Sequence, residues 1–125
     1  MKNLWNLDDL TGNPNIVVPG ETIPQIFWNA VQLRQNQIWL RQKQLGIWRS
    51  WTWAEVANEV TAIGHGLLAL GLEPKECVSI LSNTNANWVL TDLAILCSGG
   101  VCSGIYPTDA AEQVAYLCAD SDTRV

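Results

Sequence analysis

Charge is what this sequence has least of. Only 15% of its 125 residues are Asp, Glu, Lys or Arg, against about 25% in an average soluble domain. Seven basic residues, scattered singly, are outnumbered by twelve acids, for a net charge of −5. With no basic stripe, nucleic acid is excluded as a partner. One histidine, and four cysteines (Cys77, Cys97, Cys102, Cys118) without a C-x-x-C pair, leave no zinc-type ligand set. The cysteines fall on apolar faces and read as small buried hydrophobes in a reducing compartment. Residues 93–108 are uncharged but too short and too broken by glycine to cross a bilayer. The opening MKNLWNLDDL lacks the apolar core of a signal peptide. These absences predict a cytoplasmic protein without a transmembrane segment, and leave peripheral membrane contact open.

What is abundant is apolar surface. Nearly half the residues (48%) are hydrophobic and seven are tryptophan. A chain of this length forms one domain and buries about two-thirds of its unfolded surface. So many tryptophans over so little charge imply that further protein belongs over its faces.

The organising stretch is CVSILSNTNANWVLTDLAILCSGGVCSGIYPT, residues 77–108. Cys77, Val78, Ile80 and Leu81 suit a buried strand. Ser82-Asn83-Thr84-Asn85 supplies turn and capping oxygens. Trp88, Val89, Leu93, Ala94, Leu96 and Cys97 then follow the three-and-four spacing of a helix face. Ser98-Gly99-Gly100 stops that helix, and residues 101–106 start a second strand closed by Pro107. A helix between two parallel strands crosses over right-handedly, and ligands gather at the carboxyl ends of such strands.

Residues 1–21 are predicted to be an irregular lead-in marked by Gly12-Asn13-Pro14 and Pro19-Gly20. Thr22, Pro24 and Gln25 signal a helix start, with Ile23, Ile26, Phe27, Ala30 and Val31 on its inner face as far as about Gln35. Residues 37–41 and 45–51 predict a hairpin bridged by a polar turn, its tryptophans alternating between faces. Thr52-Trp53-Ala54-Glu55 is a capping box. It opens a helix whose stripe is Trp53, Val56, Ala57, Val60, Ile63, Leu67 and Leu70, stopped by Gly71. After the second strand, Asp109 or Thr108 is expected to cap a last helix with Val114, Leu117 and Cys118 inward. Thr123-Arg124-Val125 opens a third strand, and a strand three residues long implies a chain that continues.

Few residues invite chemistry. His65, in Gly64-His65-Gly66, has no carboxylate placed to orient it and reads as a surface or packing residue. Asn83, Asn85 and Asn87 are explained by caps and turns. Asp92 is expected on the outer face of its helix. Tyr106, Pro107 and Thr108 are the best functional candidates, because they stand at a strand's carboxyl end. The tryptophans between 39 and 53 read as core and interface packing rather than a lipid-binding face.

Four stretches, TIPQIFWNAV (22–31), GIWRSWTWAEVANEV (46–60), residues 66–101 and GIYPTDAAEQVAYLCADSDTRV (104–125), resemble the N-terminal region of AMP-forming long-chain fatty acid–CoA ligases of the adenylate-forming superfamily. The resemblance implies an α/β fold. It would be a parallel βαβ sheet unit with flanking helices, preceded by a helix and a Trp-rich hairpin, as an incomplete N-terminal subdomain over 22–125. It also implies a two-step reaction of fatty acid, ATP and coenzyme A with magnesium, giving acyl-CoA, AMP and pyrophosphate. Tyr106-Pro107-Thr108 would then lie near the route of coenzyme A and the acyl chain. The chemistry requires a Ser/Thr/Gly-rich loop with a lysine and a second lysine on a mobile domain. Ser98-Gly99-Gly100 has no neighbouring Lys or Arg and ends a helix, so it fails that role. No residue is thus assigned to catalysis or to metal. The chain alone is expected to be inactive and to hold none of these cofactors tightly. The alternative reading is a stand-alone, non-catalytic binding or scaffold module derived from such a ligase.

Overall fold

Two threonines set where the first helices begin. The computed structural model describes residues 20–125; the lead-in expected over 1–21 lies outside them but for Gly20 and Glu21. Helix α1 spans Ile23–Arg34 with Thr22 at its N-cap, whose hydroxyl accepts from the Gln25 N–H at 3.3 Å. The Gln25 side chain returns to the Glu21 N–H at 2.8 Å. Helix α2, Trp53–Ala69, has the full reciprocal box between Thr52 and Glu55. The Thr52 N–H donates to Glu55 Oε2 at 2.8 Å and the Glu55 N–H to Thr52 Oγ1 at 3.2 Å. The backbone N–H and hydroxyl of Thr52, together with Arg49, hold the Glu55 carboxyl below its usual pKa.

Between these helices lies the hairpin of β1 (Ile38–Gln44) and β2 (Ile47–Thr52). Its turn differs from the expected one. Gln42, Lys43 and Gln44 belong to β1, and the reversal is a two-residue loop, Leu45-Gly46, with φ of 49° and 83°. Two positive φ values make a type I′ turn, whose twist matches that of the flanking strands. Asn, Asp or Gly normally fills its first position. A leucine there costs about 1–2 kcal/mol, so nothing in the residue pattern announced the turn.

The βαβ unit is as expected. Strands β3 (Cys77–Leu81) and β4 (Val101–Ile105) pair in parallel, with Cys77 opposite Val101 and Leu81 opposite Ile105. Helix α3, Ala86–Cys97, joins them. Gly99, at φ 80°, ends the helix while the Gly100 N–H bonds the Ile95 carbonyl at 2.9 Å. Helix α4, Ala111–Asp120, follows β4. Its N-cap is Ala110, without a side-chain bond, rather than Asp109 or Thr108. The Asp109 N–H is instead drawn back to the Tyr106 carbonyl at 3.1 Å, so Thr108 and Asp109 belong to the turn before the helix. Val114, Leu117 and Cys118 form its half-buried face, as predicted.

The third strand also begins where expected. Thr123 bridges Cys77 in parallel, the Arg124 N–H donates to the Cys77 carbonyl at 2.8 Å, and the Ser79 N–H donates to the Val125 carbonyl at 2.9 Å. These residues lie on the side of β3 away from β4. Thr123 Oγ1 is 2.6 Å from Ser79 Oγ and 2.8 Å from Ser121 Oγ, tying the end of α4 to the sheet.

The core sits between α2 and α3, where Val56, Val60 and Ile95 are fully buried. Helix α3 also packs on both parallel strands, and α2 on the hairpin. Phe27, Trp39 and Trp53 form an aromatic cluster, with the two indole centroids 5.0 Å apart. That cluster joins α1 to β1 and α2. Leu70 is 65% exposed, so the stripe of α2 ends inward at Leu67, one turn earlier than expected.

Replacing the α2 cap, Thr52→Ala, is expected to destabilise the chain by about 1 kcal/mol. Denaturant melts followed by circular dichroism would show it as a lower midpoint with unchanged slope.

Candidate functional site

Parallel strands deliver their last residues to one end of the sheet, here Ser82 after β3 and Tyr106 after β4. Trp88, in the first turns of α3, leans over this end. A concavity of about 280 Å³ is lined by Ser82, Thr84, Trp88, Gly104, Ile105 and Tyr106. A Cβ built on Gly104 would meet Trp88 Cζ2 at 3.6 Å, an ordinary contact, so the indole faces the strand at Gly104 with room for no more than a small side chain between them. Tyr106 is 75% exposed, and Pro107 and Thr108 form an exposed turn beside it. Of the three candidates, only Tyr106 lines the concavity. Its polar side chains are the hydroxyls of Ser82, Thr84 and Tyr106. It can stack a planar group and exchange hydrogen bonds with it, but has no cation to meet a phosphate and no base to move a proton.

The neighbouring helix start is closed to anions. Asn85 Oδ1 accepts from the Trp88 N–H at 3.0 Å, and Gln42 Oε1, from β1, accepts from the Ala86 N–H at 2.6 Å. Two donors that a phosphate would use are therefore engaged within the chain. Beside them lies a polar hollow of about 360 Å³ lined by Gln42, Gln44, Arg49, Trp51, Asn85 and Asn87. The Arg49 guanidinium lies 4.5 Å from the centroid of the Trp51 ring.

Other residues fall as follows. His65 is exposed, on the rim of a groove of about 190 Å³ with Trp28, Leu68 and Cys97 and no carboxylate in its lining. Asp92 is not on the outer face. It is half-buried and turned to Cys102 of β4. Burial pushes the Cys102 thiol up to about 12, helped by the hydrogen bond and the charge of Asp92 and by Cys77. Burial likewise raises Cys97, against a hydrogen bond from Trp28. The cysteines are free and half-buried rather than fully buried. Among the described residues no cluster of three His, Cys, Asp or Glu side chains is placed to hold a metal. Gln42 and Trp88 are the contributors that the residue pattern did not single out. The register of the hairpin would have revealed Gln42, because it shares the face of Trp51 two residues along.

Residues 27–125 match the model of the AMP-binding enzymes. The chain belongs to the AMP-binding enzyme family. Among curated AMP-binding relatives, it is 41% identical over 80 residues to the long-chain-fatty-acid–CoA ligase FadD15 of Mycobacterium bovis, a match covering 64% of this chain and 13% of that protein. It is 29% identical over 104 residues to the mouse ligase ACSBG2, covering 83% of this chain and 16% of that one. The chain thus spans a small part of these relatives and is similar to the N-terminal part of an acyl-CoA synthetase. The fold agrees. The N-terminal subdomain of Klebsiella oxytoca NpsA superposes with a TM-score of 0.71 at 19% identity, over 81% of this chain and 26% of that one. The fatty acid AMP ligase of Legionella pneumophila gives 0.77 at 16% identity, over 83% and 19%. At its strand ends this member of the family presents three hydroxyls and one indole.

Two measurements check this geometry. Gln42→Ala leaves the Ala86 N–H without its acceptor and is expected to destabilise by about 1–3 kcal/mol, read as a lower denaturation midpoint. The raised Cys102 thiol keeps its proton in the fold while an unfolded thiol loses it above pH 9.0. Its contribution to stability is therefore whole below pH 9 and declines as pH rises toward about 12. Cys102→Ser is expected to reduce that alkaline slope.

Proposed function

We propose that residues 22–125 are the N-terminal portion of the AMP-binding domain of a long-chain fatty acid–CoA ligase. The complete enzyme would take fatty acid, ATP and coenzyme A to acyl-CoA, AMP and pyrophosphate, with magnesium, in the cytoplasm. The observation that carries this reading is the family match over residues 27–125, joined to relatives that are long-chain-fatty-acid–CoA ligases.

The residues present do not fit the nucleotide or its metal. The donors at the start of α3 are capped, the strand-end concavity has no cation, and among the described residues no acidic cluster stands by. Within the complete enzyme we assign Tyr106, Pro107 and Thr108 to the approach of coenzyme A. Tyr106 would offer its exposed ring and hydroxyl, while Pro107 and Thr108 hold the turn that presents it.

Two arms test the proposal. The purified 125-residue chain, given fatty acid, ATP and magnesium, is expected to show no fatty-acid-dependent pyrophosphate exchange; exchange above background would overturn its assignment as a non-catalytic portion. Substituted for the matching segment of the Mycobacterium ligase, the chain is expected to preserve acyl-CoA synthesis. A folded chimera that makes none would refute the ligase reading.

A further inference from the structure

The polar hollow between the hairpin and the start of α3 has no part in the strand-end concavity. The strand register builds one side of it. Gln42 lies directly across from Arg49, and Gln44 and Trp51 follow two residues along on the same face of the hairpin. Asn85, Ala86 and Asn87 close the other side, around a space of about 360 Å³. Trp51 and Ala86 are buried at its floor, Gln42 and Asn85 are half-buried, and Gln44, Arg49 and Asn87 are exposed at its rim. A sheet face turned toward the rest of a protein is ordinarily apolar. This one carries amides and a cation.

Its hydrogen-bonding groups are out of balance. A backbone N–H can meet only the oxygen of an amide side chain. The bonds from Ala86 to Gln42 and from Trp88 to Asn85 therefore commit both oxygens to the helix and leave both amide nitrogens to donate. Among the described residues nothing accepts from either nitrogen, and no hydrogen bond holds the Gln44 or Asn87 side chain. The Arg49 guanidinium lies over the Trp51 ring, and among the described residues no carboxylate forms an ion pair with it. Glu55, which feels its charge, is bound to the N–H and hydroxyl of Thr52 and lies outside the hollow. No acid lines the space.

We propose that this hollow binds a carboxylate, with Arg49 as its ion-pair partner and the amide nitrogens of Gln42 and Asn85 as further donors. A planar guanidinium matches the two oxygens of a carboxylate, and one cation balances one negative charge. A phosphate group carries about −1.5 to −2 charge and is held at a helix start by open backbone N–H groups. Here those of Ala86 and Trp88 are taken. A fatty-acyl tail would find no apolar wall beyond Trp51 and Ala86, so the ligand is not a fatty acid. It is a small hydrophilic acid, or the Asp or Glu side chain of a polypeptide. Gln44 and Asn87, which can both donate and accept, suit the hydroxyl or amide that either would carry beside its carboxylate. Ligase activity plays no part in this binding or in its test.

The experiment is an NMR titration of the isotope-labelled 125-residue chain with sodium lactate, with a blocked Gly-Glu-Gly tripeptide and with sodium phosphate, at constant ionic strength. The side-chain amide signals of Gln42 and Asn85 and the Nε–H of Arg49 are followed. Both carboxylates are expected to shift them saturably at roughly millimolar concentration. Tighter binding of lactate supports a free acid as the occupant, and tighter binding of the tripeptide an acidic protein segment. Arg49→Gln should weaken binding about tenfold or more. Asn87→Ala should weaken it about threefold with an unchanged melting temperature, since that side chain bonds nothing in the described chain. Arg41→Gln, on the opposite face of the hairpin, should leave binding unchanged. Phosphate binding as tightly as the carboxylates, shifts that rise without saturating, or undiminished binding by either folded hollow variant would overturn the proposal. So would an equal loss in Arg41→Gln and Arg49→Gln, the mark of diffuse charge attraction rather than a site.

Discussion

The close approach of α2 to α3 is the contact on which the rest of this chain depends. The two helices pack together, and Val56 and Val60 of α2 and Ala94 and Ile95 of α3 are each no more than 1% exposed; burying each of the larger side chains stabilises by about 1.5–3 kcal/mol. Gly64 makes the approach tight: a Cβ there would stand 3.0 Å from Ser98 Oγ. Because α3 is held this way, its other side can carry β3 and β4, and its first turn can reach the ends of both strands. The strand-end concavity is thus positioned by helix packing rather than by its own loops.

A second constraint links the two sheets. The Gln42 bond to the Ala86 N–H joins residues 44 apart and makes the hairpin part of the start of α3. That bond and the Asn85 cap give the positive end of the helix to the chain itself. The arrangement suits a supporting subdomain. A nucleotide-binding helix start must leave its N–H groups open, and this one does not.

Much of this was legible in the residues. Thr52 and Glu55 at three-residue spacing marked the start of α2, Gly99 marked the end of α3, and the apolar runs at 77–81 and 101–105 marked parallel strands. Each of these signals is local, as caps and strand runs are. What was missed depends on partners distant in sequence or on a residue out of type. Leu45 is no turn former, so β1 ran three residues past its expected end, to Gln44. Asp92 looked solvent-facing until β4 placed Cys102 against it. Ala110 displaced two better caps because the preceding turn had already claimed them. The strand ends were legible as a candidate site from topology alone. Trp88 as its cover was not, because the distance from helix to strand is a tertiary quantity.

The pairing of residues 123–125 with β3 has a consequence for how the molecule breathes. Two backbone hydrogen bonds and the Thr123 hydroxyl contacts hold this edge, and no residue of α4 is fully buried. The β3–β4 ladder, by contrast, is backed by Val78, Ile80 and Ile105, each at most 8% exposed. Opening the edge uncovers little apolar surface and leaves the α2–α3 core intact, so it costs far less than unfolding the domain. In the isolated 125-residue chain the sheet therefore has a slow-exchanging side and a fast one, divided along β3. In hydrogen–deuterium exchange, amides with partners in 123–125, such as Ser79, would gain deuterium before amides bonded between β3 and β4.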